Sequence, residues 1–497
     1  MITINKVYCT SKLRFYCAVF SLLMIGFTSC KKLTEVPAPA TSITGASVYS
    51  SDETAIAVLT GLYSKMAANS IFTGNTSFSI FCGLSSDEMT FWSGSTALPY
   101  PYYYKNALAL SGIAYTGGSE FWTPSYQYIF VCNSAIEGLN ENTSTVTSGV
   151  KKQLIGESKF VRALCYFYLV NLYGDVPLIL NSDYKTNASL SRTPKADVYK
   201  QIITDLLDAK NLLSPNFLNA LLNGSSSERV RPSSWAASAL LSRAYLYTQD
   251  YANAEAEATN MISSNTVFGL STLNNAFLRA GSGNKEAIWQ LQAVGISSSL
   301  LNTYDGNYFI IPTTGPNNTQ SFYVSNGLLN SFEAGDNRKT SWLASYGTGV
   351  NTIYYPYKYK QGSQSINNPS TEYPMVLRLG EQYLIRAEAR VQQGTNLSGA
   401  IADLNVIRSR AGLIGYNGAA DKNSVLSAIM HERQIELFSE WGHRWLDLKR
   451  TGTVDAVMGT GGACAAKGGV WNTIQQLYPL PYSDLQLNSN LVQNAGY

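Results

Sequence analysis

Two stretches of the chain, far apart in sequence, spell the same supersecondary unit, and that repetition narrows the fold more than any other feature. Residues 235–262, WAASALLSRAYLYTQDYANAEAEATNMI, read as two Ala-rich helices about a polar turn at Gln249-Asp250. Residues 381–412, EQYLIRAEARVQQGTNLSGAIADLNVIRSRAG, read as a second such pair. In both, alanine occupies the contact positions, where only a small side chain lets two helices approach closely. A looser third pair joins 159–173 to 196–213. In the first of these helices and the turn before it, Leu154, Val161, Leu164, Tyr168 and Leu172 recur at three-, four- and seven-residue spacing and line one face. That helix is expected to stop on Gly174 in the left-handed conformation, and Pro177 keeps it from resuming. Further helical runs are expected at 52–68, after an acidic cap, and at 121–140 and 425–451.

Each Ala-rich unit looks like a tetratricopeptide repeat, a helix hairpin of about 34 residues. Repeat hairpins serve either as a protein-binding scaffold or as a structural spine, and the long insertions between these copies favour the spine. Helical period is lost over 70–120 and 265–375, which are rich in Gly, Ser and aromatic residues. An irregular insertion of that length is usually functional. The expected fold is therefore mainly α. Tetratricopeptide-like hairpins (about 121–262 and 381–451) form a spine, opposed by a large irregular aromatic-rich loop lobe (about 70–120 and 265–375) with few short strands.

Charge excludes one class of partner. Only 14% of residues are charged and the net charge is +3, too little and too evenly spread for nucleic acid. The aromatic content stands out: 33 Tyr and 8 Trp, many in Gly/Asn/Ser-rich stretches. Exposed rings on loops grip sugar faces, while buried ones anchor large loops, and both readings stay open.

Lys6, Lys12 and Arg14 precede an apolar run from Phe15 to Phe27, followed by Thr28-Ser29-Cys30. That order reads as a signal peptide over 1–29, its apolar run falling short of the roughly 20 residues a spanning helix needs. Cysteine after small residues resembles a bacterial lipobox, with Cys30 lipidated and 30–50 a Pro/Thr/Ser-rich anchor and tether. Residues 51–497 are then expected to form a single unit. Cys82, Cys132, Cys165 and Cys464 remain, without a CxxC pair, so neither zinc nor a redox motif is supported.

Four segments together resemble one family. The helix and turn KFVRALCYFYLVNLYGDVPLIL (159–180) is one, and the lipobox is another. The third is Glu432, Arg433, Glu436, Leu437, Glu440, Arg444, Asp447, Leu448 and Arg450, matching E-R-x-x-E-L then E-x-x-R-x-x-D-L-x-R. The fourth is the terminus LYPLPYSDLQLNSNLVQNAGY with Asn490, Gln493, Asn494 and Gly496. These resemble the SusD/RagB-like outer-membrane nutrient-binding lipoproteins of Bacteroidetes. The resemblance implies a lipid-anchored outer-membrane protein facing the cell exterior that binds oligosaccharide or polysaccharide. It also implies delivery of that cargo to a SusC-like TonB-dependent transporter, with neither catalysis nor a cofactor. By position, Trp92, the 302–309 loop with Tyr304, Asp305, Asn307 and Tyr308, and the pair Trp342 and Tyr346 are the expected ligand contacts. Rings would cover the sugar's C–H face, and Asp305 and Asn307 would orient hydroxyls.

Two other functions fit the same sequence. A surface glycoside hydrolase needs two carboxylates roughly 5–9.5 Å apart, for which Asp87, Glu88, Glu120, Asp305, Glu333 and Asp336 form the loop stock. A peptide or protein receptor would use the helical repeats. His431-Glu432 lacks the second histidine of a zincin helix, since Ile435 holds that place. Glu432, Glu436 and Glu440, interleaved with arginines, read as a structural ion-pair network rather than a catalytic set.

Overall fold

In chain order, the elements used below begin with α1 (Asp52–Ala67), α2 (Phe78–Ser85), α3 (Trp122–Asn140), α4 (Ser148–Tyr173) and α5 (Lys195–Leu212). They continue with α6 (Ser234–Tyr247), α7 (Tyr251–Ser263), α8 (Tyr304–Phe309), α9 (Leu379–Gln393), α10 (Leu397–Arg410), α11 (Lys422–Glu436) and α12 (His443–Arg450). The strands are β1 (Met89–Phe91), β2 (Ala287–Gln290), β3 (Phe322–Val324), β4 (Leu343–Tyr346), β5 (Ile353–Pro356) and β6 (Met375–Arg378). The computed structural model describes residues 48–109, 117–141, 145–293, 302–362 and 369–497. The expected signal peptide, Cys30 and nearly all of the tether lie outside these residues. Val48–Tyr497 forms one compact unit.

The spine is continuous although the sequence is not. α4 packs between α3 and α5, α5 meets α6, α6 pairs with α7, and α7 lies against α9, which contacts α10 and α11. The interruption between α7 and α9 therefore leaves the stack without breaking it. Each hairpin turns by its own local chemistry. Asp250 accepts from the Asn253 amide to cap α7 (3.3 Å) after Gln249 adopts a positive φ of 61°. Asn396 accepts from the Gly399 amide to cap α10 (2.9 Å). Ala244, Ala254 and Ala258 are fully buried at the contacts, as their small size requires.

α4 ends on Gly174 with φ 76° and ψ −129°, so the positive φ is as expected but the left-handed helical well is not used. A Cβ there would come within 3.1 Å of Leu477. The carbonyl of Tyr173 is instead satisfied by the chain terminus. Asn494 donates to Tyr173 O (3.0 Å) and Tyr478 O (2.8 Å), and Arg192 donates to Tyr173 O (3.0 Å) and Asn494 Oδ1 (2.6 Å). The helix-end signature and the Asn-rich terminus, remote in sequence, are one structural joint.

Two helical expectations needed revision. Phe78–Ser85 is a helix although its segment lacks helical period, because all eight residues are buried and no polar face exists to mark one. Residues 425–451 are not one helix. α11 and α12 are separated by a turn in which Ser439, Trp441 and Gly442 take φ of 53°, 50° and 71°, so Glu440 sits in the turn and not in line with Glu432 and Glu436. At Gly442 a Cβ would fall 2.5 Å from Cys82 Cβ.

Among the described residues the strands are short and form three two-stranded antiparallel ladders: β1 with β3, β2 with β6, β4 with β5. β1 and β3 pair Thr90 with Tyr323, joining the two loop regions that are far apart in sequence. Cys82, Cys132, Cys165 and Cys464 are free and buried.

Candidate functional site

The loop 310–321 organises the aromatic lobe. Trp92 donates its backbone N–H to Ser321 O (2.8 Å), continuing the β1–β3 ladder. Asn318 Oδ1 accepts from Ser95 Oγ (2.9 Å) and from the Thr96 amide (3.0 Å), fixing the loop that follows Trp92. Gln320 Nε2 donates to Asn307 O (2.7 Å), tying in α8. Gly315 lies against the ring of Tyr346, whose hydroxyl would be 2.8 Å from a Cβ there. Asn69 Nδ2 reaches the Tyr308 hydroxyl at 3.5 Å. Trp92, Asn307 and Tyr346 touch this loop and are partly exposed, as are Tyr304 and Tyr308 on the adjoining α8. Burial raises the Tyr304 and Tyr308 hydroxyls above the ordinary phenol range, so both remain hydrogen-bond donors at neutral pH. The sequence offered no sign of Asn69, Asn318 or Tyr323 here, since their roles arise from pairings across more than 200 residues.

Two expected contacts do not belong to this surface. Trp342 is fully buried, its indole donating to Leu273 O (2.8 Å), with Phe277 edge-on at 5.7 Å. It covers buried cations: Lys358 Nζ lies 4.6 Å from its ring centroid, and the Arg410 and Arg378 guanidiniums 5.5 and 5.8 Å. Asp305, 5% exposed, points inward and accepts from Thr73 Oγ1 and the Gly74 amide, both at 3.0 Å. Burial pushes its carboxyl up to about 6 against those two hydrogen bonds. It fastens α8 to the 69–75 loop.

Beneath Trp342 lies the charged cluster of the 432–450 segment, and it is buried. Glu436 takes hydrogen bonds from Arg378 (2.5 Å), Arg338 (3.1 Å) and Arg410, which hold its carboxyl well below the usual range despite burial. Glu432 pairs with Arg338 (2.5 Å), and Glu440 with Lys358 (2.5 Å) and Arg378 (2.7 Å). Asp447 joins Arg433 (2.8 Å) to Arg450 (2.7 Å), and Arg450 continues to Glu388 (2.5 Å). Arg444 grips Asp87 through two bonds of 2.8 and 2.7 Å. These residues weld α9, α10 and α11 to the loop lobe.

The remaining loop carboxylates are likewise engaged. Glu333 pairs with Arg408 (2.6 Å), Asp336 with Arg338 (2.8 Å), and Glu120 accepts from Gly118 (2.8 Å) and the Tyr103 hydroxyl. Glu88, 2% exposed, accepts from the Ser439 amide (3.2 Å), and burial with the Asp87 charge beside it pushes its carboxyl up to about 8. Among the described residues no group of three or more His, Cys, Asp or Glu is placed to hold a metal.

The comparisons address both halves of this architecture. Residues 330–497 match the family model described as "SusD family", and residues 99–246 match one described as "Starch-binding associating with outer membrane". The chain belongs to the SusD/RagB-like family. Its SusD-like relatives include "SusD-like protein P2" of Formosa agariphila, 28% identical over 76% of this chain and 80% of that protein. The "Starch-binding protein SusD" of Bacteroides thetaiotaomicron is 29% identical over 34% of this chain and 30% of its own length. A SusD superfamily protein from Bacteroides vulgatus superposes with a TM-score of 0.74 at 20% identity, over 90% of this chain and 99% of that one, and so shares the fold. The segment carrying Glu432 to Arg450 and the terminal Asn494 lie within the SusD-model match, and Tyr173 and Arg192, which complete the terminal joint, lie within the 99–246 match.

Proposed function

We propose that the chain is a cell-surface glycan-binding protein whose ligand lies on the face built by Trp92, Tyr304, Asn307, Tyr308 and Tyr346. The observation that carries this reading is the set of partly exposed rings and an amide on loop segments that hydrogen bonds tie to one another across more than 200 residues of sequence. Rigid rings lose little entropy on binding and cover the C–H face of a sugar. A shallow site with a few polar groups suits an oligosaccharide more than a small buried metabolite. The name of the starch-binding relative and the description of the 99–246 match support the same class of ligand and an outer-membrane location. In this reading Cys30 carries the lipid anchor, the protein faces outward, and cargo passes to a TonB-dependent transporter. The ring-lined face acts by recognition alone and hydrolyses nothing. A glycan array with the purified protein, followed by titration and a reducing-end assay on every polysaccharide bound, tests it. Saturable binding without release of reducing ends is expected. Release of reducing ends, or an array without any binder, would overturn the proposal.

A further inference from the structure

A second concavity lies on the spine side, remote in sequence from the ring-lined face. The hairpin-like loop 214–226 closes on itself, with Asn219 N donating to Gly224 O and Ser226 N to Phe217 O, both at 2.9 Å. Together with Thr266, Val267 and Lys285 it walls a groove of about 670 Å³, within the range of small-molecule sites. Arg229 forms part of that wall. Its guanidinium sits in the corner between the perpendicular rings of Phe217 (4.4 Å) and Phe268 (4.9 Å) and is 8% exposed. Its hydrogen bonds run to carbonyls, those of Val267 (2.8 Å), Lys285 (3.3 Å) and Ala287.

What sets Arg229 apart is its lack of a counter-ion. The well-buried arginines of the 432–450 cluster each face a carboxylate, whereas neither Arg229 nor Lys285 has one among the described residues. The neighbouring acids are committed elsewhere: Glu228 to Arg279 (3.3 Å) and the Gly281 amide (3.0 Å), Glu286 to Arg378 and Arg410 (both 2.9 Å). Desolvation, with no opposing charge, pushes the Arg229 guanidinium down to about 10, so it stays a cation at neutral pH. The three carbonyls offset part of the cost of burying this cation but carry no full negative charge, and an anion entering the groove would relieve the rest. The exposed Lys285 ammonium stands at the same wall, and Asn216, Asn223 and Ser225 supply hydroxyl-matching groups.

We propose that this groove is a second ligand site, one that takes an anionic saccharide through its carboxylate or sulfate. Arg229 and Lys285 hold the anion, and Phe217 offers a ring edge to the sugar. The saccharide part rests on the proposed function; the anion part stands on the groove alone.

Titration of the purified protein with trigalacturonate and with a sulfated chondroitin disaccharide, beside neutral maltoheptaose, tests it. Saturable binding of at least one charged probe is expected, weakened at least tenfold in Lys285→Glu at unchanged melting temperature and unaffected by Trp92→Ala. Arg229→Lys, which keeps the charge but loses the fork, should weaken it too. If neither charged probe binds, or Lys285→Glu binds like wild type, or Trp92→Ala abolishes the binding, the proposal fails. Charged-probe binding that survives Trp92→Ala, with no other glycan bound on the array, would count against the ring-lined face and leave this groove standing.

Discussion

Glu436→Gln is the sharpest test of the buried charge network. The carboxylate is fully buried and serves three guanidiniums, those of Arg338, Arg378 and Arg410. Gln keeps the shape but removes the charge that compensates them. Breaking a buried ion pair typically costs about 3–5 kcal/mol, because the abandoned charge stays buried. With three partners the upper half of that range is expected, eased by Glu286, Glu432 and Glu440, which still face the same arginines. Unfolding entropy is roughly 2 cal/mol/K per residue, so a unit of about 450 residues has about 0.9 kcal/mol/K, and a loss of about 4 kcal/mol lowers the melting temperature by about 4 °C. Proton linkage gives an independent readout. Glu436 and Asp447 are held well below the usual carboxylate range by their arginines. Their contribution is therefore complete above the ordinary carboxyl values and lost as pH falls through about 4 and below. Calorimetry of wild type should show stability falling steeply on acidification, and Glu436→Gln a shallower slope. A variant with wild-type melting and an unchanged acid slope, or one that is stable yet binds no glycan, would refute the structural role.

Other perturbations separate the site from its frame. Trp342→Ala should cost about 3–5 kcal/mol as a core cavity, while the folded fraction keeps its glycan affinity in titration; lost affinity at unchanged stability would return this ring to the site. Trp92→Ala and Tyr308→Ala should each weaken the cognate glycan by about 2 kcal/mol or more with little change in melting; wild-type affinity in both would remove the ring-lined face. Because the Asp305 carboxyl is raised to about 6, its contribution is greatest below about 4 and declines as pH rises through 6. Asp305→Asn should abolish that part of the pH profile, and an unaltered profile would contradict the burial argument. Cys30→Ala should abolish lipid labelling and leave protein off the membrane; normal labelling would place the anchor elsewhere.

The hairpins were legible because helix period and small-residue contacts are local. Ala244, Ala254 and Ala258 announce a close helix contact whatever lies beyond it. Helix order in the stack was not legible, since α7 meets α9 only after the whole loop lobe has been folded aside. The charge spacing from Glu432 to Arg450 marked a network, because charges on a packed helix must pair. The partners Arg338, Arg378 and Arg410 come from outside the motif, and the break at Gly442, inside it, is forced by the close packing of the turn on Cys82. The aromatic lobe divides the same way. Composition located the ring-rich segments, yet nothing local distinguishes Trp92, partly exposed on a loop pinned by Asn318, from Trp342, sealed over Lys358. Side-chain exposure is a sum over neighbours brought together across hundreds of residues, and only the folded chain performs that sum. The sequence alone determined the family, the helical frame and where its loops emerge; the tertiary structure decided which of the loop side chains meet solvent.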